Sequence, residues 1–179
     1  MKKHSQYTID WLIKKHIKFL EEFGLTETYV RNYFIEWSRN RPPLVKDYLW
    51  FIFQNIILEI PKQVSSEIDF YKYNLKVHSQ MLDFRREIEK SPANDIYQCC
   101  LEFKLRIYEL DMSLYCKVEV ISGQCCEYCD LLNNELFEFS DIYTNKYLAS
   151  DKCTNKRGCN CTYVIVPQRN SYGRLIKKQ

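Results

Sequence analysis

The sequence predicts a mainly α-helical chain that ends in a small α+β module, and three observations predict it. Apolar residues recur every three to four positions through the first 110 residues, the period switches to two at Leu114, and six of the nine cysteines fall between Cys125 and Cys161. With 46% apolar residues, 15% aromatics and only 4 Gly and 5 Pro in 179 residues, the composition is that of a folded globular chain. A disordered segment would hold fewer aromatics, and a collagen-like one far more Gly and Pro.

Each element follows from local pattern. Ile9, Leu12, Ile13, His16, Ile17, Phe19, Leu20 and Phe23 mark the inner face of a first helix that Gly24 stops. Thr26 caps a second helix with Tyr29, Val30, Tyr33, Phe34 and Trp37 on one face, ending near Asn40. Pro42 and Pro43 suit the first turn of a third helix, which runs to about Ile60 before Pro61 breaks the pattern. Ser65 or Ser66 caps a fourth helix through Ile68, Leu75, Met81, Leu82, Phe84 and Ile88 to about Lys90. A turn at 91–95 leads to a fifth helix over 96–110.

Leu114, Cys116, Val118 and Val120 then alternate as one face of a strand. A short strand is expected over 135–139, a short helix capped by Ser140 to about Ala149, and a further strand over 163–166 that ends at Pro167. The expected organisation is a helical domain of about five helices at 1–112, a β/α module at 113–167 and a basic C-terminal tail at 168–179.

The longest apolar run, 48–57, contains Gln54 and Asn55 and is roughly half the length that crosses a bilayer, so no membrane association is expected. The N-terminus lacks an apolar leader with a small-residue cleavage site, which predicts a chain that begins at Met1 and stays in the cytoplasm. Nine cysteines in such a compartment point to metal binding in preference to a disulfide framework.

Cys126 and Cys129 form a CxxC pair, and Cys159 and Cys161 a CxC pair with Cys153 six residues before it. Two cysteines on a tight turn supply two corners of a tetrahedron, and a second turn brought alongside supplies the others, which is how a single structural zinc ion is held. The first-choice ligand set is Cys126, Cys129, Cys153 and Cys161, with Cys159 as the alternative for either of the last two. Cys125 is expected to be a spectator, and Cys99, Cys100 and Cys116, which sit in helix or strand pattern, are expected to be core.

From Val120 to Pro167 the order of features resembles the C-terminal zinc-binding segment of phage Mu F-like minor head (head morphogenesis) proteins and related bacterial proteins. Residues 118–121 correspond to its leading strand, Cys126 and Cys129 to its CxxC, 132–134 to its turn, Phe137 to its aromatic and 159–163 to its close. The resemblance implies a zinc module and a phage-related or mobile-element setting. Where the family writes His-Pro-Asn-Cys-Arg-Cys, this chain has Lys156-Arg157-Gly158-Cys159-Asn160-Cys161, so Cys153 takes the place of the His. Asn134 stands where Gly is usual, which Asn tolerates because it adopts positive φ.

The leading functional expectation is a non-enzymatic, zinc-stabilised protein that binds another macromolecule in a phage, mobile-element or bacterial accessory context. The alternative is nucleic-acid binding through the basic end, where Lys152, Lys156, Arg157, Arg169, Arg174, Lys177 and Lys178 face Asp151 alone. In that reading Arg157, Arg169, Arg174, Lys177 and Lys178 contact phosphates, while Tyr163 or Tyr172 stacks on bases. A second alternative is a zinc-dependent hydrolase with Glu127 beside the metal. No catalytic motif accompanies it, and His4, His16 and His78 are the only histidines. The aromatic density of the second and third helices exceeds what one helix face buries, which adds a homodimer surface or protein partner to the expectations.

Overall fold

The computed structural model describes residues 7–124 and 126–178, so His4 and Cys125 lie outside the described residues. The chain forms two compact units, Met1–Glu59 and Ile60–Gln179. It is mainly helical, with a small antiparallel sheet near the C-terminus, as the periodicities require. Among the described residues no helix is long and apolar enough to cross a membrane.

The first unit holds α1 (Ile9–Glu21), α2 (Glu27–Trp37) and most of α3 (Val45–Gln63). The side chains of Thr8 and Thr26 accept the backbone N–H groups of Trp11 and Tyr29 and so cap the first two helices. Gly24 takes φ +75°, and the Leu25 N–H reaches back to the Leu20 carbonyl at 3.1 Å, closing α1 as a Schellman turn. The aromatics of α2 and α3 meet each other: Tyr48 lies 5.1 Å from Phe34 and 5.3 Å from Trp37, ring centre to ring centre, and donates to the Val30 carbonyl at 2.8 Å. Tyr48 and Phe53 are fully buried, whereas Tyr29 is 50% exposed.

Two prolines act differently from the sequence reading. Pro42 and Pro43 precede α3, with the Leu44 N–H bonded to the Pro42 carbonyl, and are not its first turn. Pro61 lies inside the last turn of α3, which runs on to Gln63, because a proline there removes one N–H while the Val64 N–H still reaches the Ile60 carbonyl.

In the second unit Ser66 caps α4 (Glu67–Asp83), which passes into a π-helical turn at Phe84–Ile88. The Glu89 N–H bonds the Phe84 carbonyl five residues back at 3.2 Å. The periodicity alone predicts one uninterrupted helix here. The chain then forms α5 (Asn94–Asp111), β1 (Cys116–Ile121), α6 (Glu127–Leu131), β2 (Leu136–Phe137), α7 (Phe139–Asn145) and β3 (Thr162–Pro167). The strands lie in the order β2-β1-β3, both pairings antiparallel, with Val118 opposite both Phe137 and Ile165. Glu138, not Ser140, caps α7 and exchanges hydrogen bonds with Asp141 in a capping box.

α4 packs along α5, and Leu101 and Leu105 of α5 share one core with Val118 and Val120 of β1, Ile142, Leu148 and Tyr163. The boundary expected at 112/113 therefore falls inside a unit, because the apolar face of α5 is what covers the sheet. The last residues are not a free tail. The Tyr115 N–H bonds the Ile176 carbonyl, the Lys178 N–H bonds the Ser113 carbonyl, and the Asn170 side chain accepts the N–H groups of Tyr172 and Arg174 to close a turn at Gly173.

Because Leu105 is 2% exposed between α5 and the sheet, Leu105→Ala is expected to lower the unfolding free energy by about 2–5 kcal/mol in a denaturant titration. Leu58→Ala, at a site 67% exposed, is expected to stay within about 0.5 kcal/mol in the same titration.

Candidate metal centre

Two turns of the second unit bring the cysteines together. β1 ends at Ile121, and the following turn is held by Ser122: its N–H donates to Asn133 Oδ1 at 2.8 Å, its hydroxyl donates to the Asp130 carboxylate, and it accepts the Gln124 N–H at 2.9 Å. Cys126 has extended backbone at the N-cap of α6, and Cys129 lies on that helix. The sequence places this CxxC on a turn but gives no sign of the helix, which is only five residues long. Asn134 has φ +64°, in keeping with its place in the turn before β2.

The second turn carries Cys153, Cys159 and Cys161, and β3 begins immediately after it. The sulfurs of Cys126, Cys129 and Cys153 all lie within 4.8 Å of one another, and so do those of Cys129, Cys159 and Cys161. All five expected metal residues are thus assembled, as two groups that share Cys129. Cys129, Cys159 and Cys161 have no exposed surface, Cys153 is 8% exposed, and Cys126 is half-buried. Among the described residues, no histidine or carboxylate joins either group. Glu127 is exposed on α6, and His78 lies on α4, bonded through Nδ1 to the Asn74 carbonyl.

Backbone N–H groups point at these sulfurs as they would at thiolates. Gly123 donates to Cys161 Sγ at 3.3 Å, tying the two turns together. Cys126 receives the N–H groups of Cys129 and Thr154, and Cys159 those of Cys161 and Ala149. The turns also fit sterically. A Cβ at Gly123 would stand 2.5 Å from Asn160 Oδ1, so glycine lets the side chain between the two cysteines of the CxC pair close over the first turn without shifting.

The electrostatics of the cluster ask for a cation. Burial raises the Cys129 thiol far above its usual range, and neighbouring Cys126 and Cys159 raise it further. Burial likewise pushes Cys159 up to about 12, against the two N–H groups that favour its ionised form. At Cys126 burial acts upward, but the N–H of Cys129 and contacts with Cys129, Thr154 and Cys153 bring the thiol down to about 7. Several thiolates in one dry site repel one another, and a divalent ion among them removes the penalty. Sulfur-only donors on two short turns fit such an ion.

The helices of the unit grip the second turn directly. Arg86 donates to the Cys159 carbonyl at 2.6 Å, Tyr97 donates to the Cys161 carbonyl at 2.9 Å, and the Cys159 N–H donates to Asn94 Oδ1 at 2.7 Å. None of the three is legible in the sequence, since a contact with a backbone carbonyl or N–H leaves no pattern in residue spacing. Cys100 and Cys116 are buried away from the cluster as core residues, and Cys99 is half-buried on α5.

The basic residues divide. Arg157 is exposed on the cysteine turn, whereas Arg169, Arg174, Lys177 and Lys178 are exposed beyond the far end of β3, roughly 20 Å away along a six-residue strand. Arg169 donates to the Gly173 carbonyl and Lys178 to the Glu109 carbonyl. Tyr163 is not available for stacking: it is 8% exposed, and its hydroxyl accepts the Leu148 N–H at 3.1 Å. Tyr172, at 86% exposed, is.

No protein-family model, curated protein or solved structure matches the chain.

Proposed function

We propose that the chain is a non-enzymatic binding protein whose C-terminal module is held together by one structural zinc ion. The observation that carries this reading is the donor set: five cysteine sulfurs in two groups joined at Cys129, with no histidine or carboxylate among them. Four sulfurs around a tetrahedral ion leave no position for water or substrate, so such a centre supports a fold and does not hydrolyse anything. Zinc is the ion for which structural sites are assembled from cysteine pairs on short turns, although thiolates also suit copper(I) and iron–sulfur clusters. The order of features along residues 118–167 supports a phage, mobile-element or bacterial accessory setting, and the partner is then another macromolecule.

A second reading, nucleic-acid binding, is favoured by one observation. Arg169, Arg174, Lys177 and Lys178 are exposed together with Tyr172 around a single turn. Cations that track a backbone beside one free aromatic ring are the elements of sequence-tolerant binding to single strands. Arg157 stands apart from them and is not part of this surface.

Elemental analysis of the native protein is expected to find one zinc per chain. Cys129→Ser is expected to lose it, because both sulfur groups pass through that residue. Serine substitution at each of Cys126, Cys153, Cys159 and Cys161 is expected to abolish retention at three positions and spare it at one. A native protein that binds no metal at low chelator concentration sinks the proposal. Removing the ion is expected to cost on the order of 10 kcal/mol of metal-linked folding free energy, read as a large downward shift in the thermal transition.

For the second reading, a salt titration against a single-stranded oligonucleotide decides. Four phosphate contacts give a slope of log K against log salt of about −3. Arg169→Ala with Arg174→Ala is expected to flatten it by about 1.4. No binding at low salt removes the reading, since the electrostatic contribution is greatest there.

A further inference from the structure

We propose that Arg86 supplies the counter-charge of the metal centre, an inference that rests on the zinc reading given above. Four thiolates around a divalent ion carry a net double negative charge, and in a site with little exposed surface that charge needs a fixed cation nearby. Arg86 is placed to provide it. Its guanidinium donates to the Cys159 carbonyl at 2.6 Å and lies 4.7 Å from the centre of the Tyr97 ring, whose hydroxyl holds the Cys161 carbonyl.

Three features separate Arg86 from an ordinary surface arginine. Its Nε is buried and has no hydrogen-bond partner among the described residues. It has no ion pair among those residues either, whereas its neighbour Arg85 pairs with Glu89 at 3.1 Å. It also projects from the π-helical turn Phe84–Ile88, where one extra residue per turn displaces side chains by about 100° from their α-helical positions. A half-buried cation without a carboxylate is costly unless negative charge lies close by. Its bond to the Cys159 carbonyl puts this cation beside the negative charge that metal binding would create at Cys159.

Charge and hydrogen bonding can be separated. Arg86→Gln keeps a donor for the Cys159 carbonyl and removes the charge, Arg86→Lys keeps the charge and loses the planar fork, and Tyr97→Phe removes the other carbonyl bond without touching charge. Zinc loss is timed from the metal-loaded full-length chain into excess chromophoric chelator, so a variant that unfolds without metal is still measured. Arg86→Gln is expected to release zinc about 10–100 times faster than the unsubstituted chain. Arg86→Lys and Tyr97→Phe are expected to stay within about threefold of it, well short of the effect typical of an outer-shell partner.

A change under threefold for Arg86→Gln overturns the proposal, as does a loss equal to it in Arg86→Lys or Tyr97→Phe, which would assign the effect to hydrogen bonding. An Arg86→Gln chain that stays unfolded even with zinc would make Arg86 a residue of the fold and likewise overturn it. If the unsubstituted chain binds no zinc, the metal reading itself fails, a result distinct from each of these.

Discussion

The second unit is organised on five clustered cysteines, with Cys129, Cys153, Cys159 and Cys161 buried and Cys126 half-buried beside them. Thiols can be buried cheaply as small apolar groups, and here they share a core with Leu101, Val118, Val120 and Tyr163. Their surroundings are not those of inert thiols, however. Backbone N–H groups converge on Cys126, Cys159 and Cys161, an arrangement that favours the ionised form. Burial opposes ionisation, and at Cys129 it does so overwhelmingly. A site built from donors that stabilise thiolates and walls that disfavour them would suit a cation among the sulfurs.

The two turns are not held equally by the protein's own contacts. The second turn is tied to the helices by Arg86, Asn94 and Tyr97, and a Cβ added at Gly158 within it, at φ +91°, would stand 3.3 Å from Asn94 Oδ1. The first turn has its own hydrogen bonds through Ser122, but meets the second mainly through sulfur: the Gly123 N–H on Cys161, the Thr154 N–H on Cys126 and the contact of Cys126 with Cys153. Metal binding would therefore act mainly on the joint between the turns. The free energy of a structural site would be spent on closing α6 against a loop that the helices already position.

The contrast between what the sequence discloses and what it conceals follows from which interactions leave a repeating trace. The period-two run at Cys116–Ile121 and the CxxC spacing are local, so β1 and the first pair of candidate ligands are legible. Asn134 at φ +64° is legible for the same reason, since its side chain and its backbone conformation go together. The sharing of Cys129 between two groups is a three-dimensional fact that no spacing contains. Tyr163 reads as an available aromatic because it lies near the basic end of the sequence, and its burial and the bond from the Leu148 N–H withdraw it. The boundary expected at 112/113 fails because composition changes there while the apolar face of α5 continues into the sheet. Composition also makes a tail of residues 168–178, although backbone bonds to Ser113 and Tyr115 return them to the start of β1.

Five cysteines cluster where a tetrahedral ion would take four. Cys159 and Cys161 both reach Cys129, and Asn160 between them seals Gly123. Replacing either cysteine by a larger apolar residue would disturb the core, because neither has any exposed surface. Whichever of the two an ion would leave out still fills the space of one thiol and still accepts a backbone N–H. A surplus cysteine is what a tetrahedral centre inside a close-packed core would leave: an ion would take four sulfurs, and the core fixes the volume of the fifth.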